Sequence, residues 1–134
     1  MERVARGLRA LEPSLDILAS SPLLRATQTA AIVSAAYDDL PVTTASAFAP
    51  DATLEAGLHW LQRQPARAIV AVVGHEPHLG TFATWLLTGT DDSRMPLRKG
   101  GACAIEFTGR AHQGEGELIW LLPPAVLRRL ARAK

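Results

Sequence analysis

The sequence has very little cysteine and almost no net charge. Cys103 is the single cysteine among 134 residues, which excludes an intramolecular disulfide framework and a cysteine-rich zinc site. Fourteen basic residues oppose thirteen acidic ones, so the formal net charge is +1. A dedicated nucleic-acid binder carries a strong basic field that attracts phosphates, and this chain has none. We therefore expect no nucleic-acid partner.

Long apolar runs are missing as well. No uncharged apolar stretch approaches the roughly 20 residues that a membrane span needs, and the charged segment 1–6 lacks the apolar region of a signal peptide. We therefore expect no membrane partner and a reducing, cytoplasmic location. Twelve arginines against two lysines are a weak indication of a GC-rich bacterial gene. The apolar fraction of 48% is typical of a globular chain, and the length predicts one domain over residues 1–134.

Apolar spacing and chain breakers divide the sequence into alternating helices and strands. The pattern predicts helices over residues 2–11, 21–37, 51–64, 78–87 and 125–134. It predicts strands over residues 15–20, 41–45, 68–73, 102–107 and 117–122. Ser21 and Asp51 are the predicted N-caps of the second and third helices. The alternation indicates an α/β fold whose sheet is parallel at first and ends in an antiparallel hairpin.

Two strand ends carry residues that suit a phosphate, and ligands of open α/β sheets bind beyond such ends. Arg25 falls in the first turn of its helix, where its guanidinium can reach back towards free N–H groups and the positive end of the helix dipole. His75 directly follows strand 68–73 and can donate to a phosphoryl oxygen or move a proton. Taken singly, Arg25 is more often a surface ion-pair partner, and His75 as often bonds a turn. Because both residues follow strands of one sheet, the two together favour a phosphate site over these structural roles.

The segments that hold these two residues resemble a known family. Residues 20–30 read SSPLLRATQTA, and residues 73–77 read VGHEP. They are similar to two of the three signature blocks of the histidine phosphatase superfamily, and the nearest branch is the SixA-like phosphohistidine phosphatases. The resemblance covers nearly the whole chain. It implies a three-layer, phosphoglycerate mutase-like α/β fold.

The resemblance implies a phosphatase that acts on phosphohistidine in a protein or on a small phosphomonoester. In the family, an N-terminal strand ends in Arg-His-Gly, and this histidine takes up the phosphoryl group before water hydrolyses the phosphohistidine. The positions that match Arg25 and His75 surround the phosphoryl group and stabilise its oxygens. Arg25 and His75 are therefore the implied catalytic residues, and together with Ser21 the implied phosphate-binding residues. No metal and no other cofactor is implied.

The sequence departs from the family at the nucleophile, because no Arg-His-Gly occurs in the 134 residues. The first predicted helix resembles the interior of the family's first helix, so the preceding strand and its motif are expected to be missing. The other histidines are predicted to pack half-buried (His59), to start a helix or line a pocket rim (His78) and to be solvated (His112). The chain is thus expected to lack the nucleophile. The alternatives are a non-catalytic module that binds phosphate or a phosphoprotein, and an unrelated α/β protein.

The missing strand also sets a structural expectation. By the resemblance, it lies between strands 68–73 and 102–107 and is central to the sheet. Each buried backbone group left without a partner costs about 1–3 kcal/mol, so a dry gap is not expected. We expect that the hairpin pairs directly with strand 68–73, that another chain fills the gap, or that the domain folds poorly and associates.

Overall fold

The computed structural model describes residues 1–95 and 97–132, in which helices and strands alternate. The helices are α1 (Glu2–Leu11), α2 (Leu24–Ala36), α3 (Leu54–Gln62), α4 (His78–Thr88) and α5 (Pro124–Arg132), with a 3₁₀ turn at Ser46–Phe48. The strands are β1 (Ile17–Ser20), β2 (Val42–Thr44), β3 (Val70–Val73), β4 (Ala102–Glu106) and β5 (Glu117–Leu122). The order agrees with the sequence pattern, and residues 133–134 of the predicted last helix lie outside the described part. No helix in that part is long and apolar enough to cross a membrane.

Two helices begin later than predicted because other residues cap them. The N-cap of α2 is Leu23, not Ser21. The Ser21 hydroxyl accepts the Leu23 N–H at 3.3 Å, so Ser21 lies two residues before the N-cap. Thr53, not Asp51, caps α3, and its hydroxyl accepts the backbone N–H of Ala56 at 3.1 Å.

The parallel sheet has three strands in the order β2-β1-β3, with helices on both faces. Side chains alternate between the faces of a strand. Ala19 of β1 joins a core that includes Phe48 and side chains from α3 and α4. Leu18 points to the opposite face and joins Ala5 of α1 and Val33 of α2. The predicted three-layer arrangement is therefore confirmed.

The hairpin of β4 and β5 stands apart from this sheet. Antiparallel pairing joins β4 to β5, but no ladder connects β3 with β4 in the described residues. All four residues of β3 are only half-buried, although their apolar sequence suits a fully covered strand. The structure thus does not pair the hairpin directly with β3, and it leaves both strand edges unpaired where the resemblance places a further strand.

Helices, rather than strand pairing, hold the hairpin to the rest of the domain. The indole N–H of Trp120 on β5 donates to the Glu12 carboxylate, just after α1, at 3.1 Å. Helix α5 follows the hairpin and packs closely against α1. A Cβ atom at Gly7 would collide with the Leu127 carbonyl, so this helix crossing requires glycine.

An open edge of β3 should be visible in the hydrogen exchange of its amides. The carbonyls of Ile69 and Val73 accept N–H groups from the β1 side. Because peptide groups alternate in direction along a strand, those of Val70 and Val72 point towards the gap. We expect the amides of Val70 and Val72 to exchange about tenfold or more faster than those of Ala71 and Val73 in NMR hydrogen exchange. Equal protection of all four amides would contradict an open edge.

Candidate phosphate site

The ends of β1 and β3 bring two of the predicted residues together. Ser20 pairs with Val73 in the parallel register, and the Ser21 N–H donates to the Val73 carbonyl at 2.9 Å. The chain after each strand therefore starts from the same edge of the sheet. Ser21 and His75 meet there, with 2.7 Å between the serine Oγ and the imidazole Nε2.

Arg25 is the second residue of α2, in the first turn after this edge. Its side chain is exposed, and within the described chain it makes no hydrogen bond or ion pair. The N–H groups of Leu24, Arg25 and Ala26 likewise find no acceptor in that part of the protein. Free N–H groups and the positive end of the helix dipole attract anions. No hydrogen bond links Arg25 to His75, so their joint reach to one anion stays a prediction.

The turn that carries His75 is fixed by a helix cap that the sequence analysis did not identify. The Glu76 carboxylate accepts the backbone N–H of Gly80, in the first turn of α4, at 2.6 Å. The His75 carbonyl accepts the Leu79 N–H at 2.7 Å. A Cβ atom at Gly80 would lie 2.9 Å from both Glu76 carboxylate oxygens, so a larger residue there would push this carboxylate out of its present position. An acidic residue just before a helix is the signal for this cap.

His78 begins α4, as predicted, but its ring is buried in the domain. The residue is 9% exposed, and its ring lies parallel to that of Phe82 with 6.5 Å between centroids. Neither ring nitrogen has a hydrogen-bond partner in the described chain. The pKa of His78 is lowered, chiefly because burial disfavours the imidazolium, and the nearby His75 acts in the same direction. The Ala52 backbone, which lies near the ring without forming a well-aligned hydrogen bond, and Asp51 partly oppose this effect.

His59 and His112 form no hydrogen bond with the residues of this edge in the described chain. His59 is exposed, so its predicted half-buried packing is wrong: on α3 its neighbours Leu58 and Trp60 face the core instead. His112 is exposed in the hairpin connection, as predicted. Burial, and secondarily Glu76, raises the pKa of the Cys103 thiol to about 11. No group of three His, Cys, Asp or Glu residues that could hold a metal occurs in residues 1–95 and 97–132.

Solved structures of other proteins share the fold of this chain. The chain superposes on the protein histidine phosphatase SixA complexed with tungstate with a TM-score of 0.73 at 21% identity, over 94% of this chain and 80% of that one. It superposes on a chain from Agrobacterium tumefaciens assigned as a phosphohistidine phosphatase SixA with a TM-score of 0.67 at 18% identity, over 92% and 77%. The chain therefore has the same fold as these two SixA structures, which is the fold that the two sequence blocks predicted.

A closer sequence relative defines the family. An uncharacterized protein from Picosynechococcus sp. is 34% identical over 130 residues, which cover 90% of this chain and 79% of the relative. The chain belongs to the same family as that protein. No family model matches the sequence.

Replacing the buried imidazole should change how stability depends on pH. A folded-state pKa below the unfolded value of 6.5 means that the unfolded chain binds the proton more tightly. The His78 contribution to the free energy of unfolding is thus fully present above that value and is lost as pH falls from it through the lower folded-state pKa. We expect His78→Leu to flatten this decline and to raise stability at neutral pH by about 1 kcal/mol, because two unpartnered nitrogens disappear.

Denaturant unfolding across this pH range is the measurement. His59→Gln is the matched control, since it removes an exposed imidazole from a helix. An unchanged pH profile for His78→Leu would contradict the assignment of this titration to His78.

Proposed function

We propose that this chain binds a phosphoryl group as part of a phosphatase that acts on phosphohistidine in a protein or on a small phosphomonoester. The observation that carries the proposal is the edge where β1 and β3 end, at which His75 contacts the buried Ser21 beside the open first turn of α2 with Arg25. The similarity in fold to a protein histidine phosphatase complexed with tungstate, an oxyanion like phosphate, supports it.

Each group of the proposed site offers a different interaction to an anion. The Arg25 guanidinium can give two parallel hydrogen bonds to phosphoryl oxygens. The N–H groups of the α2 first turn add donors and the helix dipole. His75 can donate from a ring nitrogen, and the hydroxyl of the buried Ser21 contacts the other ring nitrogen. These donors stabilise the oxygens as their charge redistributes during transfer, and the proposal includes no metal or cofactor.

The chain offers no imidazole placed to attack phosphorus. Covalent transfer needs a nucleophile in line with the leaving group. Of the two histidines that follow β3, His75 bonds Ser21, and His78 is buried. The sequence contains no Arg-His-Gly. This observation also favours the second candidate function, a non-catalytic module that binds phosphate or a phosphoprotein.

The proposed setting is the cytoplasm of a bacterium, without nucleic-acid or membrane partners. The near-zero net charge and the Picosynechococcus relative support it. The coding sequence can separate the two candidate functions. A strand pattern ending in Arg-His-Gly, encoded in frame upstream of Met1, would favour the phosphatase, and an in-frame stop codon there would favour the binding module.

Anion binding tests the proposed site directly. We expect tungstate and inorganic phosphate to shift the amide resonances of residues 21–26 and 75. Arg25→Lys should weaken binding about tenfold, because a point charge cannot reproduce the two-pronged guanidinium contact. Arg6→Lys, an exposed change on α1, is the matched control. Equal affinities of the Arg25→Lys variant and the unaltered chain in titration calorimetry would remove Arg25 from the site.

A hydrolysis assay tests whether the chain lacks a nucleophile. We expect the purified chain to hydrolyse neither a phosphohistidine peptide nor p-nitrophenyl phosphate faster than buffer without protein does, because none of its histidines is placed for attack on phosphorus. Activity that is lost on changing His59, His78 or His112 would show that one of these residues is the nucleophile after all.

A further inference from the structure

We propose that Ser21 is a positioning residue that holds His75 in the neutral tautomer with its proton on Nδ1, so that the Nδ1–H group serves the anion. The ligand part of this inference rests on the proposed function. The part that concerns the imidazole rests on the contact between Ser21 and His75 alone, which does not require a ligand.

The polar groups of Ser21 are engaged within the protein. Its N–H donates to the Val73 carbonyl at 2.9 Å, and its carbonyl accepts the Ser20 hydroxyl at 2.8 Å. Its own hydroxyl oxygen accepts the Leu23 N–H at 3.3 Å and contacts His75 Nε2 at 2.7 Å. Ser21 is also 0% exposed. An anion in solvent therefore cannot reach this hydroxyl directly, and Ser21 acts on a ligand through His75.

The direction of the contact follows from the donors and acceptors present. A serine hydroxyl has one proton and two acceptor lone pairs, and Leu23 uses one lone pair. If His75 donated from Nε2, the Ser21 proton would be buried without another acceptor in the described chain. A buried unpaired donor is unfavourable. The hydroxyl therefore donates to Nε2, and neutral His75 carries its proton on Nδ1.

This tautomer leaves one ring nitrogen for a ligand. His75 Nδ1 has no hydrogen-bond partner within residues 1–95 and 97–132, and the side chain is only half-buried. A fixed Nδ1–H group is a preformed donor, whereas a ring that turned freely would have to be ordered on binding. The loop after β1 thus sets the orientation of a residue that follows β3.

The tautomer can be read from nitrogen NMR of the labelled imidazole at alkaline pH. We expect a protonated Nδ1 and an unprotonated Nε2 for His75, whose signals are assigned by their loss in His75→Gln. Ser21→Ala should shift the tautomer towards Nε2–H and weaken tungstate binding about tenfold. Ser20→Ala is the matched control, since it removes a neighbouring buried hydroxyl that bonds the Ser21 carbonyl and not the ring.

Ser21→Thr keeps the hydroxyl and should restore the tautomer of the unaltered chain. A proton on Nε2 in the unaltered chain would overturn the inference and requires no variant to fold. An unchanged tautomer in Ser21→Ala would overturn it too. Failure of the unaltered chain to bind tungstate would contradict the proposed function, while a protonated Nδ1 would still establish the positioning of His75.

Discussion

The parallel pairing of β1 with β3 is the constraint on which the site depends. Pairing of Ser20 with Val73 puts the chain after both strands at one edge. Helices α2 and α4 then both begin there, so their positive ends face the same region. β1 can hold this central place because its last three residues are fully buried, with neighbours on both sides. A shift in this register would separate Ser21 from His75, even if both helices formed.

The hairpin of β4 and β5 is held in place by contacts other than strand pairing, because it shares no ladder with β3 in the described chain. Its position comes from backbone bonds to the end of α4, where Gly116 N–H donates to the Leu86 carbonyl at 2.9 Å, and from the contact of Trp120 with Glu12. These contacts position the hairpin without pairing β4 with β3.

Sequence patterns predicted the order of the helices and strands well, because apolar spacing and breakers act locally. The α1 range and the end of α4 at Gly89, where φ is +81°, follow from such local signals. The predicted N-caps of α2 and α3 were wrong for different reasons. At α3 the Thr53 hydroxyl caps the helix in place of Asp51, whereas α2 begins after Leu23 without a side-chain cap, because the Ser21 hydroxyl accepts the Leu23 N–H before the helix starts. The burial of β3 was not predictable from its own residues, since it depends on which strand lies beside it.

The residues of the candidate site could be named from the sequence, but the contacts between them could not. Arg25 and His75 were singled out because each follows a strand, and the motifs assigned Ser21 to the same site. That the Ser21 hydroxyl points at His75 and not at solvent depends on the turn at Leu23, which the sequence pattern placed inside the helix. Under the proposed function, binding an anion requires only fixed donors, which the residues of this edge would supply, whereas attack on phosphorus requires a further nucleophile on the opposite side. Recognition and chemistry would then rest on different parts of the fold, so a chain without the nucleophile would still bind the anion.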